Sequence, residues 1–495
     1  MRGVGGRRAA VLAAVFAGSF VALLNMSVAT VALPRMAADL GTDAAGLRWV
    51  LDAYTLCLSA LMLSGGVLGD RYGRRRVFVG AVGAFTLGSV LCAAASSPAA
   101  LVGGRVVQGA AAAVIVPGSM SLLAQAYPDA AARARVIGWW SVTASVSVGA
   151  GPLLGGLLVD ASGGWPAVFW VVVPVGVAVV ALGAWALPES SDPSHAALDL
   201  PGQVLGVAWL GALSYGLVEG GHRGWSSAGV VAALAVAAVA LAAFVAVELR
   251  AERPMLPIRL LGRAPFAAAN AGALLLGLGA YGMFFYLSPY LQHVRGYSAT
   301  GAGLRMVPMA VGMSLLGALA GRLTARFGPY GPMGGAFGLM AAALLGMGAL
   351  LDADVPYGVV AVLLLALGAG IGVVLPPLNA SALAAVPRER SGAAAATVNA
   401  VRQTGTSLGI AVLGAVLAAR SGGAESGDAF VTGLRTIAVV AGAISLAGAA
   451  VVLLARRAIA RRSPASPLSS PPPLPPAHPA RPARPAQSAR RRSGG

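Results

Sequence analysis

A run of about twenty mostly apolar residues crosses the hydrocarbon core of a bilayer as one helix, and this chain contains about fourteen such runs. They lie at 9–33, 47–69, 77–97, 101–126, 136–159, 166–187, 200–219, 228–249, 265–291, 299–325, 331–351, 356–378, 393–418 and 431–455. Of the 495 residues, 57% are hydrophobic and 11% charged, with mean hydropathy +0.79. A soluble globule carries about 25% charged residues. A water-soluble fold is excluded, and the expected class is an all-α integral membrane protein.

The loops between the runs give an orientation. All 35 basic side chains other than histidine are arginine. Arg7, Arg8, Arg71, Arg74 to Arg76, Arg133, Arg135, the 250–263 stretch, Arg322, Arg326, Arg388, Arg390 and 456–462 all fall on one side. The opposite loops hold one or two arginines each and the acids Asp39, Asp43, Asp352 and Asp354. The positive-inside rule then puts both termini in the cytoplasm, in agreement with an even number of spans. This distribution also accounts for the net charge of +18 without nucleic acid, since no single basic face with interleaved aromatics exists. "MRGVGGRRAAVLAAVFAGSF" has the charge pattern of a signal peptide, but its apolar run continues past residue 30 with no A-x-A-like cleavage site. It reads as an uncleaved first span. Cys57 and Cys92 sit inside apolar runs and read as packing residues. The stretch from 456 to 495 is basic, Pro-rich and too poor in apolar residues to bury a core, so disorder is expected there.

Two connections repeat. "LGDRYGR" (68–74) joins the second and third runs and "LTARFGP" (323–329) the tenth and eleventh, sharing L-x-x-R-aromatic-G. Each closes the second helix of a six-helix group if two helices are inserted between copies. The expected organisation is residues 1–190 as one six-helix bundle, 191–264 as two inserted helices with flanking loops, 265–455 as the second bundle and 456–495 as the tail. Duplicated units of this kind commonly carry a ligand path at their interface.

Several segments carry polar or glycine patterns beyond what spanning a bilayer requires. In "GGVLGDRYGRRRV" (65–77), Gly66 and Gly73 permit a tight turn, Asp70 can pair with arginines, and Arg71, Arg74 and Arg75 hold the loop on the basic side. In "LVGGRVVQGAAAAV", Arg105, Gln108, Gly109 and Ala112 share a helix face. A buried arginine there costs several kcal/mol unless it faces protein or water, so snorkelling to the near interface is the alternative. In "SVTASVSVGAGPLLGGLL", Ser147, Gly151 and Gly155 give a smooth groove for a close neighbour, with Gly149 and Gly156 beside it, and Pro152 removes a backbone donor. "LLNMSVATVALP" ends the first run with Asn25. Near 400, Asn399, Arg402 and Gln403 form a polar patch that a lipid-facing helix would avoid. Tyr281 and Phe285, in "YGMFFYLSPY", can line an adaptable apolar pocket or pack in the core.

Asp52, in "WVLDAYTLCLSALML", is the one acid well within a run. Thr55, Leu56 and Ser59 share its face by helical spacing, so it is expected to look into a polar cavity. A carboxylate withdrawn from water exchanges protons nearer neutrality than an exposed one, and can be loaded from one side and emptied toward the other. A structural acid, hydrogen-bonded to Tyr54 or paired with Arg105, remains the other reading.

G-x-L-x-D-R-x-G-R-R-R (66–76) closely resembles the signature loop of the major facilitator superfamily. R-x-x-Q-G resembles its fourth-span motif, in which the arginine is held to assist proton movement, and "GAGPLLGG" its antiporter motif. "LLNMSVATVALP" resembles the first-span motif of the fourteen-span drug:proton antiporter branch, with Asn25 where an acid normally stands. "GGWPAVFWVVVPVG" (163–176) keeps Trp165, Phe169, Pro174 and Gly176 of that branch's next motif. Segments 287–308 and 391–417 are similar to its later ones. The resemblance covers about residues 9 to 455. It implies a major facilitator fold of about 14 helices (6+2+6) in a bacterial plasma membrane. The implied function is proton-coupled export of hydrophobic drugs or antibiotics by alternating access, with Arg105 assisting proton movement, and the reading of the buried acid adds Asp52 as the proton carrier. Asn25, Thr55, Tyr281, Phe285, Asn399, Arg402 and Gln403 are the cavity candidates. The expected partners are protons, a hydrophobic small molecule and the bilayer, with no cofactor, no metal and a monomeric chain. A proton-independent facilitator or a single-metabolite exporter is the alternative, since Asn25 cannot change charge. A membrane enzyme or sensor is disfavoured by the lack of H-E-x-x-H or a Walker loop and by four scattered histidines, His195, His222, His293 and His478.

Overall fold

The computed structural model describes residues 2–42, 44–127, 129–191, 199–251, 258–386, 391–424 and 426–462. All the regular secondary structure there is helical. The first group is α1 Arg2–Val28, α2 Leu33–Leu40, α3 Ala44–Tyr72, α4 Arg74–Ala93, α5 Pro98–Ala126, α6 Ala130–Ser162, α7 Ala167–Trp170 and α8 Val172–Ala186. Then come α9 Leu200–Arg223 and α10 Ala228–Arg250. The last group is α11 Ala264–Leu276, α12 Gly282–Pro289, α13 Ala299–Phe327, α14 Tyr330–Leu350, α15 Tyr357–Ala384, α16 Ser391–Ser421 and α17 Gly427–Arg462. Thirteen helical segments of the described residues are long and apolar enough to cross a bilayer, with α11 and α12 forming one of them through residues 264–294. A fourteenth is α3, bent by 56° between Gly46–Met62 and Ser64–Tyr72. The bend falls beside the Gly65–Gly66 pair, a usual place for a helix to kink.

Helices α1 to α8 pack among themselves, as do α11 to α17, while α9 and α10 pair with each other. The bundles meet along two seams, α6 against α13 and α3 against α16, and α9 lies against both α3 and α16. The α9–α10 pair is docked at the second of these seams.

Both repeated connections turn at a glycine with positive φ. Gly73 has φ +103° and Gly328 φ +70°, backbone that a Cβ makes costly. L-x-x-R-aromatic-G therefore ends a helix at a positive-φ glycine both times. The loop at Gly73 is also latched. Asp70 pairs with Arg74 at 2.8 Å, Arg74 N–H donates to the Ser190 carbonyl at 2.8 Å, and Arg75 N–H donates to Glu189 at 3.1 Å.

Two details differ from expectation. The final helix continues through Arg462, past the 456 boundary set for the tail, because "RRAIARR" contains no helix breaker before Pro464. The remaining tail, 463–495, lies outside the described residues. A short helix, α2, also follows α1, started by Pro34 in its first turn and ended by Gly41 at φ +60°.

Candidate functional site

The glycine motif of α6 has two faces, one for each neighbour. A Cβ on Gly151 would strike Ser27, and one on Gly155 would lie 2.5 Å from the Val28 carbonyl, so this stripe seats α1. Ser27 fixes that contact by donating to the Val148 carbonyl at 2.8 Å. On the other side, a Cβ on Gly149 would lie 2.6 Å from the Ala310 Cβ, and Gly156 backs onto Ala299 and Thr300 of α13. Gly303 of α13 returns the contact against Pro152 and Leu153. The stripe is a joint between the bundles. Asp160 closes its end by accepting from Thr300 N–H at 2.9 Å.

Arg105 is fully buried, so snorkelling is excluded. Its Nε donates to the Val50 carbonyl at 3.0 Å, and one terminal nitrogen donates to Gln108 at 3.1 Å and to the Asn25 side-chain oxygen. Gln108 in turn donates to Ser89 at 2.8 Å. Pairing of Arg105 with Asp52 is not what the structure shows. Asn25, where the related motif has an acid, is the acceptor instead, and this ties α1, α3, α4 and α5 together.

Asp52 lies more than two turns inside α3 and is fully buried. Neither carboxylate oxygen has a hydrogen-bond partner. The expected polar cavity around it is a correction. Thr55 donates to the Leu51 and Asp52 carbonyls at 3.3 Å, and Ser59 to Leu56 at 2.9 Å. Both hydroxyls are spent on their own helix, as Ser and Thr commonly do, and Leu56 packs with Leu210 of α9.

The nearest basic group is Arg48, one turn before Asp52. It is 7% exposed, and one of its terminal nitrogens is unpartnered. It reaches across the seam: a Cβ on Gly414 of α16 would lie 3.1 Å from its Nε. Tyr286 stands beside it, donating to the Ile410 carbonyl at 2.5 Å. Arg48, Leu51, Phe285, Tyr286, Leu33 and Phe430 line a cleft between the bundles, on the arginine-poor side. Motif reading passes over Arg48. Its signal in the sequence is a second charge, one helical turn from the buried acid.

The structure separates the remaining cavity candidates. Gln403 points at the other bundle, its amide nitrogen 3.6 Å from the Met26 sulfur, whereas Arg402 lies over the Tyr281 ring at 5.2 Å. Tyr281 closes a π-helical turn, Gly277–Tyr281, an irregularity common at functional positions. The α16 backbone runs close beside it: a Cβ on Gly409 would lie 2.5 Å from the Leu278 carbonyl oxygen, and one on Gly282 would lie 2.9 Å from the Gly409 Cα. Asn399 is half-buried on the same helix as Gln403. The 287–308 segment is pinned by Arg295, which donates to Val355 at 2.5 Å, and by Arg305, stacked 3.5 Å from the Tyr297 ring centre.

The comparisons agree with this architecture. The family described as Major Facilitator Superfamily matches residues 15–410. "Multidrug resistance protein Stp" of Mycobacterium tuberculosis is 36% identical over 405 residues, covering 81% of this chain and 74% of that protein. "Tetracenomycin C resistance and export protein" of Streptomyces glaucescens is 33% identical over 422 residues, covering 85% and 78%. Among solved structures, a bacterial homologue of the human lysosomal transporter Spinster, inward-facing and unoccupied, superimposes with TM-score 0.65 at 20% identity, covering 92% of this chain and 98% of that one.

Proposed function

The chain belongs to the Major Facilitator Superfamily, in its fourteen-span drug:proton antiporter branch, and from that premise we propose that it exports hydrophobic small molecules in exchange for protons. It is a multi-pass membrane transporter and not an enzyme. With the arginine-rich loops in the cytoplasm of a bacterial cell, the contacts of α6 with α13 and of Arg48 with Gly414 close the outer side. The pathway then opens inward for loading.

The observation that carries the reading is Asp52, a fully buried acid with no hydrogen-bond partner, beside the seam where the two bundles must part. A proton arriving from outside neutralises it, the bundles rock, and the proton leaves inward as solute moves out. The exchange needs only that proton and solute bias the same pair of states. Arg105 serves this cycle by fixing the α3 backbone at Val50, two residues before the acid. The names of the relatives, multidrug resistance and tetracenomycin C resistance and export, support outward transport of drug-like compounds.

The test is ethidium efflux from proteoliposomes under an imposed pH gradient, comparing wild type with Asp52→Asn. Gradient-driven efflux in the wild type alone is expected. Equal efflux in both removes Asp52 from coupling. Efflux independent of the gradient in the wild type favours a facilitator, the reading that Asn25 at the first-span acid position supports.

A further inference from the structure

Helix α9 is fastened to α3 by polar contacts. Gln203 donates to the Ala60 carbonyl at 2.7 Å and accepts from Ser64. Its other contacts with the seam are apolar, and they fix the register of three helices. Leu210 and Trp209 pack on Leu56 and Ala60 of α3. The Tyr215 ring lies 6.3 Å from Trp49 of α3. Val218 packs with Trp49 and with Ala411 of α16.

That register brings together three polar residues. Asp52 lies between Trp49 and Leu56 on the face of α3 that meets α9, three residues after one and four before the other. Ser214 lies midway between Leu210 and Val218, four residues from each, on the face of α9 that meets the seam. Ser407 is one turn from Ala411 on α16, and α9 and α16 run in the same direction, so Ser407 is level with Ser214. All three residues are fully buried. Both Asp52 oxygens and both serine hydroxyls lack a hydrogen-bond partner. Isolated unpaired groups are scattered in most proteins, but four unpaired oxygens at one level of one apolar seam need a common explanation.

We propose that Asp52, Ser214 and Ser407 form a single proton site shared by three helices, with the inserted helix α9 supplying one of its hydroxyls. A hydroxyl can donate or accept. With Asp52 ionised, both serine O–H groups donate to the carboxylate. When a proton binds, the new Asp52 O–H donates to one serine oxygen, whose own hydrogen turns away, while the other serine still donates to the carbonyl oxygen. Both charge states are thus satisfied by rotating one hydroxyl, which an arginine, a donor with no acceptor, does not allow. The contacts form as α16 moves along α9, so proton binding is tied to the seam itself. The charged and titratable groups around the site are Arg48 on α3, Tyr215 and the Glu219–Arg223 pair on α9, Tyr286 on α12 and Arg402 on α16. None of these is a carboxylate at the level of Asp52. The inserted pair is then part of the coupling machinery rather than a spacer.

This inference rests on Asp52 exchanging a proton, and its test reads that step without a transported solute. Purified full-length protein in nanodiscs is stepped in pH, and the infrared difference spectrum records the protonated-carboxyl C=O stretch, assigned to Asp52 by its loss in Asp52→Asn. Removing a hydroxyl partner in Ser214→Ala or Ser407→Ala should move that band to higher frequency. It should also displace its titration midpoint by about half a pH unit or more, and Ser214→Thr should restore both. An Asp52 band unchanged in frequency and midpoint in both alanine variants overturns the shared site and leaves the antiport reading standing. Absence of any band assignable to Asp52 overturns both.

Discussion

The guanidinium carbon of Arg105 lies 4.3 Å from the centre of the Tyr54 ring, whose hydroxyl donates to the Ala22 carbonyl at 2.5 Å. Arginine on α5 is thus held against α3 by an aromatic face and against α1 by Asn25, all three side chains being fully buried. A buried cation is tolerated only when its surroundings satisfy it.

The first prediction concerns that network. Arg105→Ala strips the Asn25 and Gln108 side chains and the Val50 carbonyl of a charged donor at once, and each buried group left unpaired costs about 1–3 kcal/mol. The variant should melt well below wild type in detergent. Arg105→Lys keeps the charge but cannot serve the separate acceptors in their fixed directions, so it should fall between the two. A lysine variant as stable as wild type would mean that the charge alone matters.

Gly73 and Gly328 stand at matching places of the duplicated connection, and alanine should be costly at both. Left-handed backbone alone costs an L-residue about 1–2 kcal/mol. A Cβ on Gly73 would also lie 2.7 Å from a Glu189 oxygen, whereas Gly328 has nothing within 4 Å. Gly73→Ala should therefore lower the melting temperature more than Gly328→Ala and slow transport by disturbing the Arg75–Glu189 latch. The reverse order would show that the latch is incidental.

How much of this was legible beforehand follows from the range of each signal. Apolar run length is a local property, so the number of spans and the duplicated connection could be read directly, as could the close-packing glycine stripe. The faces of that stripe could not be divided between α1 and α13, because nothing local says which neighbour lies where. Thr55 and Ser59 misled for a related reason: hydroxyls in a helix can turn to their own carbonyls, and these do. Asn25 showed as a departure from a motif, but its bond to Arg105 spans 80 residues. The level shared by Asp52, Ser214 and Ser407 depends on how three separate helices dock, which alanine- and glycine-rich sequence does not encode legibly.

The α6–α13 joint can be tested by one methyl group. A Cβ on Gly156 would lie 2.5 Å from the Ala299 carbonyl carbon and 2.7 Å from the Thr300 Cα, both backbone atoms that cannot turn aside. Gly156→Ala should cost roughly 1–3 kcal/mol, the usual range for overpacking, and weaken closure on the arginine-poor side. Gly138→Ala, on the same helix with nothing within 4 Å, is the control and should be neutral or slightly stabilising. Equal melting temperatures for the two variants would disprove a tight joint.

Arg48 makes the other closure. Its side chain spans from α3 to Gly414 of α16 beside Tyr286, and it walls the cleft that Leu417 also lines. Glutamine keeps hydrogen-bonding capacity but is shorter and uncharged, so Arg48→Gln should loosen this end of the seam. A cysteine at Leu417 then reports the opening. It should react faster with a membrane-impermeant maleimide in the Arg48→Gln background than in the Arg48 background. The native Cys92 is buried and Cys57 partly so, and subtracting the rate of the protein without the added cysteine removes their contribution. The glutamine variant also removes the positive charge nearest Asp52, so the pH at which ethidium efflux is half-maximal should change as well. If labelling accelerates but the pH profile stays fixed, Arg48 is a latch that does not sense the acid. If neither changes, its reach across the seam has no role in transport.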